Sequence, residues 1–288
     1  MMPKAYSKTI LAFGDVHIPH QNRAALEVFC RVAEYVKPEM IICLGDLLDC
    51  GQFSTHPPTY GMAETDYEAD LQTTGALLDR LQKVCGRLVV VEGNHEYRLD
   101  RWAAATAEGR GAYSMLAPRI QLTRNRKKCT YVRYGSTTGR YPHYNVNSRI
   151  IAVHGWSYAR HATKQHLQIS QGKSVIHGHT HRADASIIQN IWSPGKVIQS
   201  RSAGCLCKPI PLYGTGRPVE WVNAFILGYL GRRSDTLYSI TWSLLVRILS
   251  KPAFCVASRG CNGADHKEPG ANSGKGPEES RVRSRKTA

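Results

Sequence analysis

Short apolar runs alternate with amphipathic segments along the first hundred residues. The apolar runs have the length of buried strands and lie at residues 9–13, 40–44 and 87–91. Between them, residues 22–36 and about 64–84 place apolar side chains at helical spacing, with Asn22 as a candidate N-cap. Strands that are apolar throughout and alternate with helices are typical of a largely parallel sheet that is covered on both faces.

The second half of the chain has a different pattern, in which strands follow one another with few helices between them. The predicted strands lie at residues 131–134, 150–153, 174–176, 186–188, 197–198 and 225–227. A helix at about 162–169 is the exception. We therefore predict a second sheet packed against the first, within one α/β domain at 1–250. From about residue 253 the composition turns to Gly, Ser, Pro and charge, which predicts a disordered basic tail at 251–288.

The charge of the chain is strongly positive, with 38 Lys and Arg against 22 Asp and Glu. No acidic residue lies between Glu108 and Asp184. A stretch of one sign favours a surface that binds a polyanion such as nucleic acid, but a merely basic surface has the same composition. The tyrosines near the basic cluster at 124–128 are Tyr131, Tyr134, Tyr141 and Tyr144. Basic and aromatic residues together suit nucleic-acid binding, and a solvated hairpin loop is the alternative.

Nine cysteines are scattered along the chain without a C-x-x-C pair. Several fall in apolar runs, where Cys acts as a small hydrophobic residue, and this usage favours a reducing compartment. The first residues lack the apolar core and cleavage site of a signal peptide, and no apolar run has the length needed to cross a bilayer. We therefore expect a cytoplasmic protein with no membrane partner.

Residues of the types that bind divalent metals follow five of the apolar runs. They are Asp15, His17, Asp46, Asn94, His95, His154, His179 and His181. Ligands of open α/β sheets bind beyond the carboxyl ends of the strands, so we expect these loops to converge. Alternate residues of an extended segment face one side, so the pairs Asp15–His17 and His179–His181 are each predicted to bind a metal together. Carboxylates mixed with imidazoles suit Mn, Fe or Zn, because calcium prefers oxygen alone and structural zinc more sulfur.

The order of these residues resembles the five signature motifs of the calcineurin-like metallophosphoesterases. The motifs are Asp-x-His at 15–17, Gly-Asp at 45–46, Gly-Asn-His-Glu at 93–96, His-Gly at 154–155 and Gly-His-x-His at 178–181. The resemblance covers about residues 8–204, and the segments 93–102 and 203–207 look like those of small bacterial and phage members. It implies a four-layer α/β/β/α sandwich of two packed mixed sheets. It also implies two divalent metal ions, with Mn expected first and Fe, Zn or Ni as alternatives.

The same resemblance implies a role for each motif residue. One metal would be held by Asp15, His17 and His181, the other by Asn94, His154 and His179, and Asp46 would bridge the two. His95 would protonate the leaving group or steady the phosphate. Asp49 and Glu96 are predicted to orient a ligating His or an Arg from behind, with an ordinary surface ion pair as the alternative. His177 is excluded as a ligand because it ends its strand. His143, His161 and His166 are predicted to lie outside the site, on the surface or in a helix. Arg98 and Arg101 are predicted only to solvate the helix after His95.

These residues predict an enzyme that hydrolyses a phosphate ester with a hydroxide that bridges two metals. The basic stretch without acidic residues favours a phosphodiester substrate, and nucleic acid in particular. A phosphomonoester or phosphoprotein substrate stays open, although Ile18 and Cys50 replace the Gly and Arg of the protein-phosphatase motifs. The hypothesis from another class is a non-catalytic nucleic-acid-binding module with a vestigial metal site, whose binding would depend steeply on salt.

Overall fold

The computed structural model of the 288-residue chain describes residues 6–55, 66–134, 142–189, 195, 197–208 and 219–243. Its helices are α1 (Arg23–Val36), α2 (Tyr67–Gln82), α3 (Tyr97–Ala105), α4 (Ala107–Leu116), α5 (Pro118–Thr123) and α6 (Ala162–His166), with short 3₁₀ helices at Gly51–Phe53 and Leu167–Ile169. Its strands are β1 (Tyr6–Phe13), β2 (Met40–Cys43), β3 (Arg87–Val91), β4 (Cys129–Val132), β5 (Tyr144–Asn145), β6 (Ile150–Val153), β7 (Ser174–His177), β8 (Ala185–Gln189), β9 (Val197–Ser202), β10 (Ala224–Gly231) and β11 (Asp235–Thr241). Within these ranges, no helix has both the length and the apolar character required to cross a membrane. The predicted tail at 251–288 lies outside the described residues, and the domain boundary at residue 250 stays a prediction.

Local capping explains where the first two helices begin. Asn22 has an extended backbone and its side chain accepts a hydrogen bond from the backbone N–H of Ala25, so α1 begins at the predicted cap. The helix ends at Lys37, whose left-handed backbone directs its N–H to a carbonyl of the last turn. The second helix has its N-cap at Asp66, whose carboxylate accepts hydrogen bonds from two backbone N–H groups of the first turn.

Six strands form the first sheet, in the order β11-β10-β1-β2-β3-β4. The strands β1 to β4 are parallel, whereas β10 pairs antiparallel with both β1 and β11. In the parallel register, Phe13 lies beside Cys43, and Cys43 lies beside Val90. The carboxyl ends of β1, β2 and β3 therefore meet at one edge, and the loops after them leave the sheet side by side.

Five strands form the second sheet, in the order β5-β6-β7-β9-β8. The central strands β6, β7 and β9 are parallel, and the edge strands β5 and β8 are antiparallel to their neighbours. Val153 at the end of β6 lies beside His177 at the end of β7. The loops after these two strands also begin at a common edge.

Three buried clusters show how the layers stack. One face of the first sheet packs on α1 and α2 through side chains such as Phe29 and Leu78. Its other face shares a core with the second sheet, to which Ile42 and Ile176 contribute. The remaining face of the second sheet packs against Leu167, which follows α6. This order of layers confirms the predicted four-layer α/β/β/α sandwich of two mixed sheets.

The assignment of strands to sheets differs from the sequence prediction for two predicted strands. β4 extends the first sheet parallel to β3, and β10 extends its other side. An apolar strand carries no information about its neighbours, so the division into one sheet for each half of the chain is wrong for β4 and β10. The pattern misses β5 and β11. The pattern also misses α4 and α5, because α4 contains Gly109 and Gly111 and buries little of its surface.

Candidate metal centre

The predicted ligand residues lie in loops that follow β1, β2 and β3 of the first sheet and β6 and β7 of the second. Backbone hydrogen bonds join neighbouring loops: Asp15 N donates to Gly45 O at 2.9 Å, and Gly178 N donates to His154 O at 2.9 Å. The backbone N–H of His179 donates to the carboxylate of Asp15, which links the two sheets. The structure therefore brings all five loops to one place.

Asp15, His17 and His181 form the first group of possible metal ligands. His181 Nε2 lies 3.2 Å from Asp15 Oδ1 and 3.1 Å from His17 Nε2. All three side chains are buried. Two imidazole nitrogens and a carboxylate oxygen thus converge where the sequence predicts one metal.

Asp46, His154 and His179 form a second group, which Asn94 joins by contact. His154 Nε2 lies 2.9 Å from Asn94 Oδ1 and 3.0 Å from His179 Nδ1. Asp46 Oδ2 lies 3.5 Å from His154 Nε2 and 3.7 Å from His17 Nε2 of the first group. The carboxylate of Asp46 therefore lies between the two groups, where a bridging ligand has to be.

Three of these histidines have a partner on the nitrogen that faces away from the groups. The pairs are His154 Nδ1 with Leu44 O at 2.7 Å, His17 Nδ1 with Asp49 Oδ1 at 3.1 Å, and His181 Nδ1 with Cys207 Sγ at 3.9 Å. A hydrogen on each Nδ1 leaves Nε2 with a lone pair that points into its group. Partners of this kind fix the tautomer and orientation of metal-binding histidines.

The protonation of His179 and Asp46 also fits a cation. Burial, assisted by His154, lowers the pKa of His179 to about 3, so its ring is neutral near pH 7. Burial raises the pKa of Asp46, but His154, His95 and His17 outweigh burial and hold that pKa below its ordinary value. Neutral imidazoles and a charged carboxylate are the forms that bind metals. Lone-pair nitrogens that face each other at 3.1 Å, as in His17 and His181, repel unless a proton or a cation lies between them. The residues present therefore fit divalent metal ions.

Five ligand residues have a left-handed backbone conformation. Their φ angles are 52° for Asp15, 50° for His17, 50° for Asp46, 72° for His179 and 58° for His181. Such conformations cost about 1–3 kcal/mol each for residues other than Gly. They also correct the prediction that Asp15–His17 and His179–His181 are alternate residues of extended segments. Because the chain curls here, His179 and His181 contribute to different groups.

Two motif glycines leave space at the closest approach of the loops. A Cβ on Gly93 would overlap the carboxylate of Asp46. Gly45 has φ of 101°, and a Cβ on it would lie 2.5 Å from His154 Nδ1. Both motifs thus need Gly for reasons of space, and Gly45 also for its conformation.

His95 lies beside Asp46 and is held from behind by Asp49. Its Nε2 lies 3.9 Å from Asp46 Oδ2, and its Nδ1 lies 2.9 Å from the backbone oxygen of Asp49 and 3.2 Å from Asp49 Oδ1. Burial lowers the pKa of His95, but Asp46 and Asp49 outweigh burial and raise it to about 9. Asp49 Oδ1 also contacts His17 Nδ1 at 3.1 Å, so this carboxylate contacts two histidine rings.

Glu96 lies behind the centre, but it holds main chain rather than a His or Arg. Its buried carboxylate accepts hydrogen bonds from the backbone N–H groups of Asp46, Leu48 and Gly93, at 3.1, 2.9 and 2.9 Å. Burial and the nearby Asp46 carboxylate raise the pKa of Glu96 to about 8. Glu96 therefore ties the loop after β3 to the loop after β2.

Three further residues lie at the centre that the sequence prediction leaves out. Arg98 Nη2 lies 3.1 Å from His95 Nε2, so Arg98 is not a residue that only solvates its helix. The rings of Tyr158 and Trp221 lie 3.9 Å from His179 and 4.1 Å from His181, between centroids. The i, i+3 spacing of His95 and Arg98 is a signal that could have found the first. No local pattern distinguishes the two aromatic residues.

Four further histidines in the part of the chain that the structure describes lie outside both groups. His177 is the last residue of β7, as predicted, and its ring stacks on that of His166 with centroids 4.1 Å apart. His166 Nε2 accepts a hydrogen bond from the backbone N–H of Trp156. His143 and His161 are exposed.

The basic cluster at 124–128 is partly used by the fold itself. Arg126 donates hydrogen bonds to Asp79 and to two backbone carbonyls, and the hydroxyl of Tyr131 donates to Glu92. These contacts give both side chains structural partners. Tyr141 lies outside the described residues.

Five loops converge here, and the carboxylate of Asp46 contacts both groups of candidate ligand atoms. Such a centre, in a sandwich of two sheets, is typical of proteins that bind divalent metals. The family model of the calcineurin-like phosphoesterases matches residues 8–183. The chain belongs to this family. No curated protein matches the sequence.

Solved structures with a similar fold include two Vps29 proteins and a phosphoesterase. A single mutant of Vps29 from Entamoeba histolytica is 17% identical, with 81% of this chain and 92% of that chain covered and a TM-score of 0.43. Vps29 from Chaetomium thermophilum is 16% identical over 82% of this chain and 86% of that chain, with a TM-score of 0.42. YfcE, a phosphoesterase from E. coli, is 16% identical over 81% of this chain and 99% of that chain, with a TM-score of 0.36.

Proposed function

We propose that the chain hydrolyses phosphate esters with two divalent metal ions, and that its preferred substrates are phosphodiesters. Membership of the calcineurin-like phosphoesterase family supports the class of reaction. The observation that carries the proposal is the position of the Asp46 carboxylate, 3.7 Å from His17 Nε2 and 3.5 Å from His154 Nε2. A carboxylate in contact with both groups is what a pair of neighbouring cations requires.

The two groups divide the ligands between two ions. Asp15, His17 and His181 would hold one ion, Asn94, His154 and His179 would hold the other, and Asp46 would contact both. Divalent ions would lower the pKa of a bound water and neutralise charge on the phosphate oxygens. Manganese is the expected ion, and iron, zinc or nickel also suit a site of mixed nitrogen and oxygen ligands.

The chain itself would supply the proton for the leaving group. Asp46 and Asp49 raise the pKa of His95 against the effect of burial, so the ring holds a proton near pH 7. Asp49 occupies Nδ1, which leaves Nε2, the nitrogen that faces Asp46, to protonate the departing oxygen. Asp49 thus positions both the proposed acid and His17.

The preference for diesters, including nucleic acid, is supported by charge and by the rim of the centre. The stretch without acidic residues between Glu108 and Asp184 contributes three of the ligands. The ring of Tyr158 contacts His179, yet this residue is 69% exposed. An exposed aromatic face in a basic surrounding can stack on a base or another flat group of a diester.

Hydrolysis of two chromogenic esters tests the proposal. Metal-stripped protein is incubated with bis-p-nitrophenyl phosphate or p-nitrophenyl phosphate, with and without manganese. We expect manganese-dependent release that is faster from the diester. Asp46→Asn should lower turnover by orders of magnitude, because it removes the charge that contacts both groups. His95→Ala should lower turnover by about 10²- to 10⁴-fold with manganese affinity unchanged.

Asp79→Asn is the matched control. Asp79 lies on α2, and its half-exposed carboxylate is paired with Arg126. It should behave as the wild type. Near wild-type turnover by Asp46→Asn would contradict the assigned role. Tight manganese binding without release from either ester would favour the non-catalytic binding module, and faster release from the monoester would contradict the diester preference.

A further inference from the structure

Arg98 is oriented toward the metal centre by two contacts. Its Nη1 donates a hydrogen bond to the backbone oxygen of Asp49 at 2.9 Å, and its Nη2 lies 3.1 Å from His95 Nε2. The Nδ1 atom of His95 contacts the same backbone oxygen at 2.9 Å. One carbonyl therefore fixes both side chains, and it places the guanidinium next to the imidazole that faces Asp46.

The charge of Arg98 has no carboxylate partner in the part of the chain that the structure describes. Other arginines there do have one; examples are Arg80 with Glu27, Arg133 with Asp100 and Arg149 with Asp235. A guanidinium has five N–H donors in a planar fork, and the hydrogen bond of Nη1 to the Asp49 carbonyl uses one of them. A half-buried cation with spare donors is best satisfied by an anion.

The place of Arg98 in the centre indicates which anion this is. His95 Nε2 lies 3.1 Å from Arg98 Nη2 and 3.9 Å from Asp46 Oδ2. A tetrahedral phosphate at the two ligand groups would thus have oxygens within reach of His95 and Arg98. Bidentate recognition of phosphate oxygens is a common role of Arg.

We propose that Arg98 and His95 form a phosphate-binding clamp, in which the guanidinium of Arg98 binds an oxygen of the substrate phosphate directly. The clamp rests on the phosphoesterase function proposed above, and it names a side chain that recognises the phosphate directly. Arg98 is then a substrate-binding residue and not only a support for His95.

Binding of inorganic phosphate to the manganese-loaded protein tests the clamp without turnover. Isothermal titration calorimetry is performed on the wild type, Arg98→Ala, Arg98→Lys and the matched control Arg101→Ala, which removes an exposed arginine from the same helix. We expect Arg98→Ala to weaken phosphate binding by about 10- to 100-fold, the usual effect of a lost hydrogen bond to a charged group. Arg98→Lys keeps the charge but not the planar fork of donors, so its phosphate affinity should lie between those of the wild type and Arg98→Ala. The phosphate affinity of Arg101→Ala should match that of the wild type within about twofold. Thermal unfolding and manganese titration of each variant confirm that the fold and the metal sites are intact.

A second measurement separates phosphate contact from support of His95. In a His95→Ala background, Arg98→Ala should weaken phosphate binding further if the guanidinium contacts phosphate. No further loss would overturn the proposal, and so would wild-type phosphate affinity in Arg98→Ala or no phosphate binding by the wild type at millimolar concentration. If Arg98→Ala does not fold, wild-type affinity in Arg98→Lys overturns it. Weakened phosphate binding in a protein that hydrolyses neither ester would leave the clamp standing while the phosphoesterase proposal fails.

Discussion

Replacement of Asp49 by Ala is expected to weaken metal binding without unfolding the protein. Asp49 Oδ1 lies 3.1 Å from His17 Nδ1 and 3.2 Å from His95 Nδ1, on the far side of both rings from the ligand groups. Its removal frees the ring of His17 to rotate and to change tautomer. Loss of such a partner costs about 10- to 100-fold in metal affinity, which corresponds to about 1.4–2.8 kcal/mol.

Calorimetric titration of metal-stripped protein with manganese at fixed pH measures this change. Asp49→Asn keeps an oxygen beside His17 but not the charge, so its loss of affinity should be smaller than that of Asp49→Ala. Asp79→Ala is the control, because Asp79 is 55% exposed on α2 and contacts Arg126 rather than a residue of the two ligand groups. Wild-type manganese affinity in a folded Asp49→Ala protein would refute the role given to Asp49, as would an equal loss in the control.

Two further substitutions, one of them with a matched control, test the space around the centre and the link between the sheets. Gly93→Ala should abolish manganese binding, because the new Cβ overlaps the carboxylate of Asp46. Gly111→Ala places its Cβ in open space on α4, so it should leave calorimetric manganese binding intact and raise the free energy of unfolding by about 0.5–1 kcal/mol. Arg149→Ala should lower the free energy of unfolding, measured with urea, by about 1–3 kcal/mol, because Arg149 binds the buried Asp235 through two nitrogens at 2.7 Å. Intact manganese binding in Gly93→Ala, or an unchanged urea midpoint in Arg149→Ala, would contradict these expectations.

The sequence predicts where the strands lie along the chain better than which strands pair with each other. The run at 87–91 coincides with β3, because a buried parallel strand is apolar throughout and ends at polar loops. The partner of β4 is set by tertiary packing: only its register beside β3 places it in the first sheet. The pairing of β10 with β1 is likewise set by tertiary packing and not by local sequence. Periodicity describes which face of an element is buried, and not what covers that face.

Residue type and order predict that side chains of metal-binding types meet at one place. They do not predict Tyr158 and Trp221, since aromatic residues in loops have many uses, and the signal for Arg98 is its i, i+3 spacing from His95. Glu96 shows an intermediate case, in which the sequence indicates a supporting residue but not its partner. Its three hydrogen bonds go to backbone N–H groups, which every residue offers and no pattern distinguishes.

The same contacts that shape the centre also hold its loops in left-handed conformations. Asp15 accepts hydrogen bonds from the backbone of His179 at 2.9 and 3.0 Å, and His154 Nδ1 contacts Leu44 O at 2.7 Å. Hydrogen bonds to a charged group contribute about 1.5–3 kcal/mol each, enough to offset the strain of about 1–3 kcal/mol at a left-handed residue. Substitution of Asp15 therefore removes a ligand and a link between the sheets together, whereas substitution of Asn94, whose side chain contacts His154, is the more specific test of coordination.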